Sequence, residues 1–217
     1  MENKLLLIGG GGHCHSVIDS VLAAGIYTEI GVIAKNQDDY NDLRFDALLA
    51  PYLIGIDKDL DKLHENGWNS AFITLGSVGD TKGRRSLYST IQNIGFELPV
   101  IVDPTAVLSS SVIVEKGVFI GKRTIINAQS KIGTCAIINT GAIIEHDCIV
   151  GDFVHISPGT TLCGQVSIGD DSHIGAGSIV RQCINIGSNS LVGIGSVVVK
   201  DIQDNAKAYG NPCMVVE

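Results

Sequence analysis

The sequence predicts an α/β, Rossmann-like N-terminal domain followed by an all-β parallel helix of six-residue repeats. Three observations carry that prediction. From Val102 to Val198 every sixth residue is aliphatic, 17 positions without a gap. The first hundred residues instead alternate short apolar runs with helical stretches. The chain is 45% apolar with 26 Gly but only 5% aromatic, which suits a narrow aliphatic column better than an ordinary core.

The N-terminal elements follow in order. Lys4-Leu5-Leu6-Leu7-Ile8 is a buried-strand run, ended by Gly9-Gly10-Gly11-Gly12. Residues His15–Ala24 read as a helix stopped by Gly25. Further strands are predicted over Ile30–Ile33, Tyr52–Ile54, Ala71–Leu75 and Leu98–Val102, with helices near Asp57–Glu65 and Lys82–Asn93. Strand–helix alternation implies a small parallel sheet. The boundary falls near Asp103-Pro104, giving domains over residues 1–101 and 102–217, the second with a short C-terminal tail.

The repeat is not accidental. Leu, Ile and Val make up roughly 30% of the chain, so chance would produce the aliphatic series at on the order of 10⁻⁹. A period of six fits neither a lone α-helix nor a two-sided strand. It fits a triangular coil of three hexads, 18 residues, whose aliphatic residues point inward and stack on those one coil away. The position after each aliphatic is often Gly or Asn, as at Gly121, Asn127, Gly133, Gly151, Gly169 and Gly187. Small residues fit the tight corners, and Gly or Asn supplies positive φ where a turn demands it.

Charge and cysteine usage exclude several functions. Fifteen Lys+Arg against 23 Asp+Glu leave a formal charge of −8, the wrong sign for nucleic acid or an anionic membrane. No window has signal-peptide or membrane-spanning character, so the expected location is cytoplasmic. Cys14, Cys135, Cys148, Cys163, Cys183 and Cys213 form no C-x-x-C pair. They read as small core filler in a reduced compartment, with spacings foreign to zinc sites.

Two places can carry chemistry. The glycine turn between the first strand and helix is a phosphate cradle, with free backbone N–H groups at a helix N-terminus. It fails the dinucleotide pattern G-x-G-x-x-G, because Cys14 stands at the third glycine and Ala34-Lys35 replaces the acidic end of the second strand. In the repeats, Ile144-Glu145-His146-Asp147-Cys148 puts an imidazole between two carboxylates on an outward wall, a general-base arrangement. His155 and His173, one coil apart, should stack on one edge. No H-x-x-x-x-H pair occurs, which argues against a three-histidine metal site and for no metal. His64 falls in a surface helix.

Gly9-Gly10-Gly11-Gly12-His13, Leu75-Gly76, I-E-H-D-C at 144–148, Gly151-Asp152-Phe153-Val154-His155 and Gly210-Asn211-Pro212 together resemble a known family over essentially the whole chain. These are the bacterial nucleotide-sugar and sialic acid acetyltransferases of the left-handed β-helix superfamily. The resemblance is nearest to the N-acetyltransferases of UDP-4-amino-4,6-dideoxy sugars on the bacillosamine route. It implies a left-handed helix and a homotrimer with acetyl-CoA held between subunits. It implies that His146 is the base and Asp147 its supporting carboxylate. His155, Gly175, Ala176 and Ile194 then contact acetyl-CoA, while Gly11, Gly12, His13 and Gly76 contact the nucleotide-sugar. Ala34-Lys35 departs from the acidic residues that family members often carry near the base. The implied reaction is direct acetyl transfer to a sugar amine; O-acetylation of a sialic acid, and a non-catalytic nucleotide-sugar-binding β-helix, are the alternatives.

Overall fold

The computed structural model describes residues 3–216 and divides into two compact units. One holds the chain up to Gly76 together with Lys82–Pro99; the other holds Ser77–Thr81 together with Val100 onward.

The first unit contains β1 (Lys4–Ile8), α1 (Gly12–Ala24), β2 (Glu29–Ala34), α2 (Gln37–Leu43), β3 (Leu53–Ile56), α3 (Leu60–Glu65), β4 (Ser70–Ile73) and α4 (Lys82–Ile94). Its four strands are parallel in the order β3-β2-β1-β4. With β1 between two neighbours, Leu5 through Ile8 are fully buried, which explains their unbroken apolar run. Strand order reverses between β1 and β4, and a parallel sheet opens a crevice at such a point, beyond its carboxyl ends.

Three local expectations need correction. Helix α1 begins at Gly12, earlier than read, because Gly11 turns the chain as an extended N-cap. Helix α2 has no predicted counterpart: none of its residues is buried, so it has no apolar period to detect. Its start is instead set by the Asn36 side chain, which accepts from the amides of Asp38 and Asp39 at 2.9 and 3.0 Å. The run Leu98–Val102 does not form one strand. Glu97 makes a single bridge to Ser70, whereas Ile101–Val102 pairs with Phe119–Ile120 as the first strand of the repeats.

The second unit is a left-handed parallel β-helix. Seventeen two-residue strands run from Ile101–Val102 to Val197–Val198. Each as far as Ile179–Val180 pairs with the strand 18 residues on, as in Ile137↔His155, His155↔His173 and His173↔Leu191. Ile120, Ile138, Ile156, Ile174 and Val192 accordingly form one buried column. Val102 is the exception, 37% exposed, since it sits in the first coil with no earlier coil beneath it. After Val198 the spacing breaks, Leu191 pairing with Lys207, and an antiparallel turn through Asn211-Pro212 ends the unit.

Glycine supplies positive φ at some corners, such as Gly141 and Gly159, but directly after the inward aliphatic it has another cause. Gly133, Gly151 and Gly169 do not have positive φ. A methyl on Gly169 would instead fall 2.5 Å from the Ser188 amide, so close stacking of coils excludes a side chain there. The left-handed corners are held by Gly117, Gly141, Gly159, Gly177 and Gly195 and by ten non-glycine residues, Phe153 and Cys135 among them, of which only Asn189 and Asn205 are asparagine. All six cysteines are free, and Cys148 lies in the buried column.

The inward and outward grammar makes a paired prediction. Ile132→Ala should cost about 2–5 kcal/mol of unfolding free energy in urea titration. Lys131→Ala, one residue away but outward, should change it by less than about 0.5 kcal/mol.

Candidate active site

The His146–Asp147 pair is built by a corner of the coil. Asp147 takes the left-handed conformation, φ 59°, while its amide donates to the Ala128 carbonyl and the Gln165 amide donates to the His146 carbonyl, both at 2.9 Å. The corner is thus pinned to the coils on either side. His146 Nδ1 donates to Asp147 Oδ2 at 2.8 Å. A carboxylate only accepts, so Nδ1 carries the proton, and in the neutral ring Nε2 keeps its lone pair. The side chains are 58% and 49% exposed, open to a reactant.

Gly164, one coil beyond His146, shapes this site. A methyl on it would fall 2.6 Å from His146 Nε2 and 2.7 Å from Cε1, so the ring occupies space that only glycine leaves. The residue was not singled out from the sequence, although the 18-residue step from His146 leads to it.

His155 and His173 lie on another edge of the coil. Their rings meet edge to face, with centroids 4.9 Å apart. His155 Nδ1 donates to the Ser77 carbonyl at 2.8 Å, and Asn139 Nδ2 donates to His155 Nε2 at 3.2 Å. Both ring nitrogens are therefore engaged and the neutral tautomer is set. Ser157 Oγ and His173 Nε2 are 3.2 Å apart. Burial pushes the His173 imidazole below its ordinary value, with the Ser77 backbone opposing, so it stays neutral near pH 7.

Beside these rings lies a cavity of about 330 Å³. His155, Gly175, Ala176 and Ile194 all line it, with Val78 and Pro158. Apolar walls and missing side chains suit a narrow chain such as the pantetheine arm of CoA. Glycine at 175 also has a structural cause, since a methyl there would fall 2.6 Å from the Ile194 amide. His146 does not line this cavity.

In the first unit the sequence-selected residues do converge. Gly11 caps α1, Gly12 opens it and His13 lies in its first turn. Gly76, past β4, faces His13: a methyl on it would stand 3.5 Å from the His13 Cβ. Nothing lies within 4 Å of a methyl placed on Gly11 or Gly12, so this face of the backbone is open. Among the described residues no group of three or more His, Cys, Asp or Glu could hold a metal ion, and no helix is long and apolar enough to cross a membrane.

Residues 4–91 match the PglD N-terminal domain family, and residues 147–182 match the bacterial transferase hexapeptide family of six repeats. The perosamine N-acetyltransferase of Caulobacter crescentus, solved as a mutant with CoA and GDP-perosamine, is 35% identical over 99% of this chain and 97% of its own, with a TM-score of 0.88. The acetyltransferase domain of PglB from Neisseria gonorrhoeae, in complex with acetyl coenzyme A, is 32% identical over 100% of both chains, with a TM-score of 0.87. WeeI from Acinetobacter baumannii, at 22% identity and a TM-score of 0.83, shares the fold.

The geometry at Gly164 is open to test. Gly164→Ala should leave the melting temperature within a few degrees but turn the His146 ring off its present rotamer. A crystal structure of the variant, or a changed His146 tautomer by NMR, reads this directly.

Proposed function

The chain belongs to the sugar N-acetyltransferases of the hexapeptide-repeat superfamily, and on that footing we propose that it transfers acetyl from acetyl-CoA to the amine of a nucleotide-linked amino sugar. The finer reading is a UDP-4-amino-4,6-dideoxy-N-acetylglucosamine acceptor, on the bacillosamine route in the cytoplasm. The observation that carries the chemistry is the His146–Asp147 pair, whose proton placement leaves Nε2 as an acceptor.

A protonated amine cannot attack a thioester. His146 Nε2 takes a proton from the sugar amine as its nitrogen bonds to the carbonyl carbon, and Asp147 stabilises the imidazolium that results. The carbon–sulfur bond then breaks and the thiolate leaves as CoA, taking up a proton. No acyl-enzyme is needed. Burial pushes the nearby Cys148 thiol up to about 11, so at neutral pH it is a protonated thiol and a poor nucleophile. His155 and the walls of its cavity hold the cosubstrate; Gly11, Gly12, His13 and Gly76 hold the nucleotide-sugar.

Because the base and the cavity lie on different edges of one helix, the reading includes a homotrimer in which one subunit's edge meets its neighbour's. A GDP-linked acceptor is the second reading, favoured by the 35%-identical Caulobacter enzyme solved with GDP-perosamine.

Thiol release from acetyl-CoA, measured with the UDP-amino sugar, GDP-perosamine and a sialic acid side by side, tests both. The UDP-amino sugar should turn over fastest. Fastest release with sialic acid would replace N- by O-acetylation, and none with any acceptor would leave a non-catalytic binder. His146→Ala should lower turnover by on the order of 10²–10⁴ without unfolding the protein; near-normal turnover would remove the histidine from the mechanism. Replacing His13 should chiefly raise the acceptor KM.

A further inference from the structure

His173 has no part in the reaction above, yet it is 7% exposed although it points outward from the coil. The ladder sets it between His155 and Leu191 in one outward column, in the register His155↔His173↔Leu191. Residues 77–81, which belong to the same unit, cross this column. The Ser77 carbonyl meets His155, and a methyl on Gly79 would fall 2.8 Å from Leu191 Cδ1. His173 is thus shut in by a coil on either side and by the crossing segment.

Its nitrogens are unequally served. Nε2 has the Ser157 hydroxyl at 3.2 Å. Nδ1 makes no hydrogen bond among the described residues, and the Ser77 backbone acts on it electrostatically without a formed bond. A buried nitrogen left so costs stability, and a phenyl ring would fill the same place without that cost. What the imidazole adds is a tethered ring. Ser157, itself a wall of the 330 Å³ cavity, fixes its angle, and it meets the His155 ring at 87° between planes.

His155 gains from such a support. One of its two hydrogen bonds goes to the crossing segment, outside the ladder of the coil, and the other, to Asn139, is at the long end at 3.2 Å. Two bonds in the ring plane leave it free to tilt about the line through its nitrogens, and a second ring packed against it stops that motion.

We infer that His173 is a positioning residue for acetyl-CoA binding: tethered by Ser157, it braces the His155 ring and so fixes the polar wall of the cosubstrate cavity. The inference rests on the reading of that cavity as the acetyl-CoA site and deepens it, adding a residue that acts through His155.

Calorimetric binding of acetyl-CoA to the full chain tests it. His173→Phe should melt no lower than wild type, because the unsatisfied nitrogen is gone, and yet bind about threefold more weakly, because the ring has lost its tether. His173→Ala, which removes the brace itself, should weaken binding about tenfold and broaden the His155 Nδ1–H resonance in NMR. In a double-mutant cycle that loss should disappear, the double alanine variant binding like His155→Ala alone. Should His173→Ala not fold, the same cycle with His173→Phe decides. A residue that only stabilises the fold would weaken binding in step with melting temperature, with or without His155. The inference is overturned if folded His173→Phe binds as wild type does, or if the loss persists in the His155→Ala background. If wild-type protein binds no acetyl-CoA, or His155→Ala binds it unchanged, the cosubstrate reading of the cavity fails and this inference with it.

Discussion

The structure depends on one ladder: backbone hydrogen bonds repeated at a fixed 18-residue step. Ile137 N donates to Val154 O at 2.9 Å, His155 N to Ser172 O at 2.9 Å, and His173 N to Ser190 O at 2.8 Å. Each coil is held by its neighbours, so every residue keeps its angular position along the column. The buried aliphatics satisfy this constraint from within. From without, it puts side chains 18 residues apart on top of one another. The His155–His173 contact and the clearance that Gly164 leaves for His146 are both consequences of that step.

The same constraint frees the surface for chemistry. Only one residue in six must be a large aliphatic, and the corners tolerate many side chains even at positive φ. At one corner this tolerance places a carboxylate directly after a histidine and turns it back onto Nδ1. Two sequence neighbours on an extended strand would point to opposite faces. The left-handed turn at Asp147 brings them to one side, and the hydrogen bonds of Ala128 and Gln165 keep them there.

The α/β unit works by a different logic. Chain order in its parallel sheet gathers the residues following four strands into one trough. Gly9–Gly12 announce themselves in the sequence as a cluster. Lys35 stands out only as a departure from an acidic pattern and Asp57 not at all; single charges in unrelated segments, they come to one cleft only through the sheet order β3-β2-β1-β4.

The sequence by itself determined the repeat, its coil length, the inward column, the strand–helix alternation and the histidine between carboxylates. These are local or strictly periodic, and periodicity survives any detail of packing. Only the tertiary structure decided the rest. It made Gly133, Gly151 and Gly169 requirements of coil stacking rather than of φ, since the clash is with the next coil and not with the local chain. It gave α2 a polar cap where no apolar pattern existed. It joined Ser77–Thr81 to the repeat unit, where the Ser77 carbonyl meets His155 across 78 residues of chain. Long-range hydrogen bonds of that kind have no periodic signature, so their partners become visible only once the coil fixes which residues share an edge.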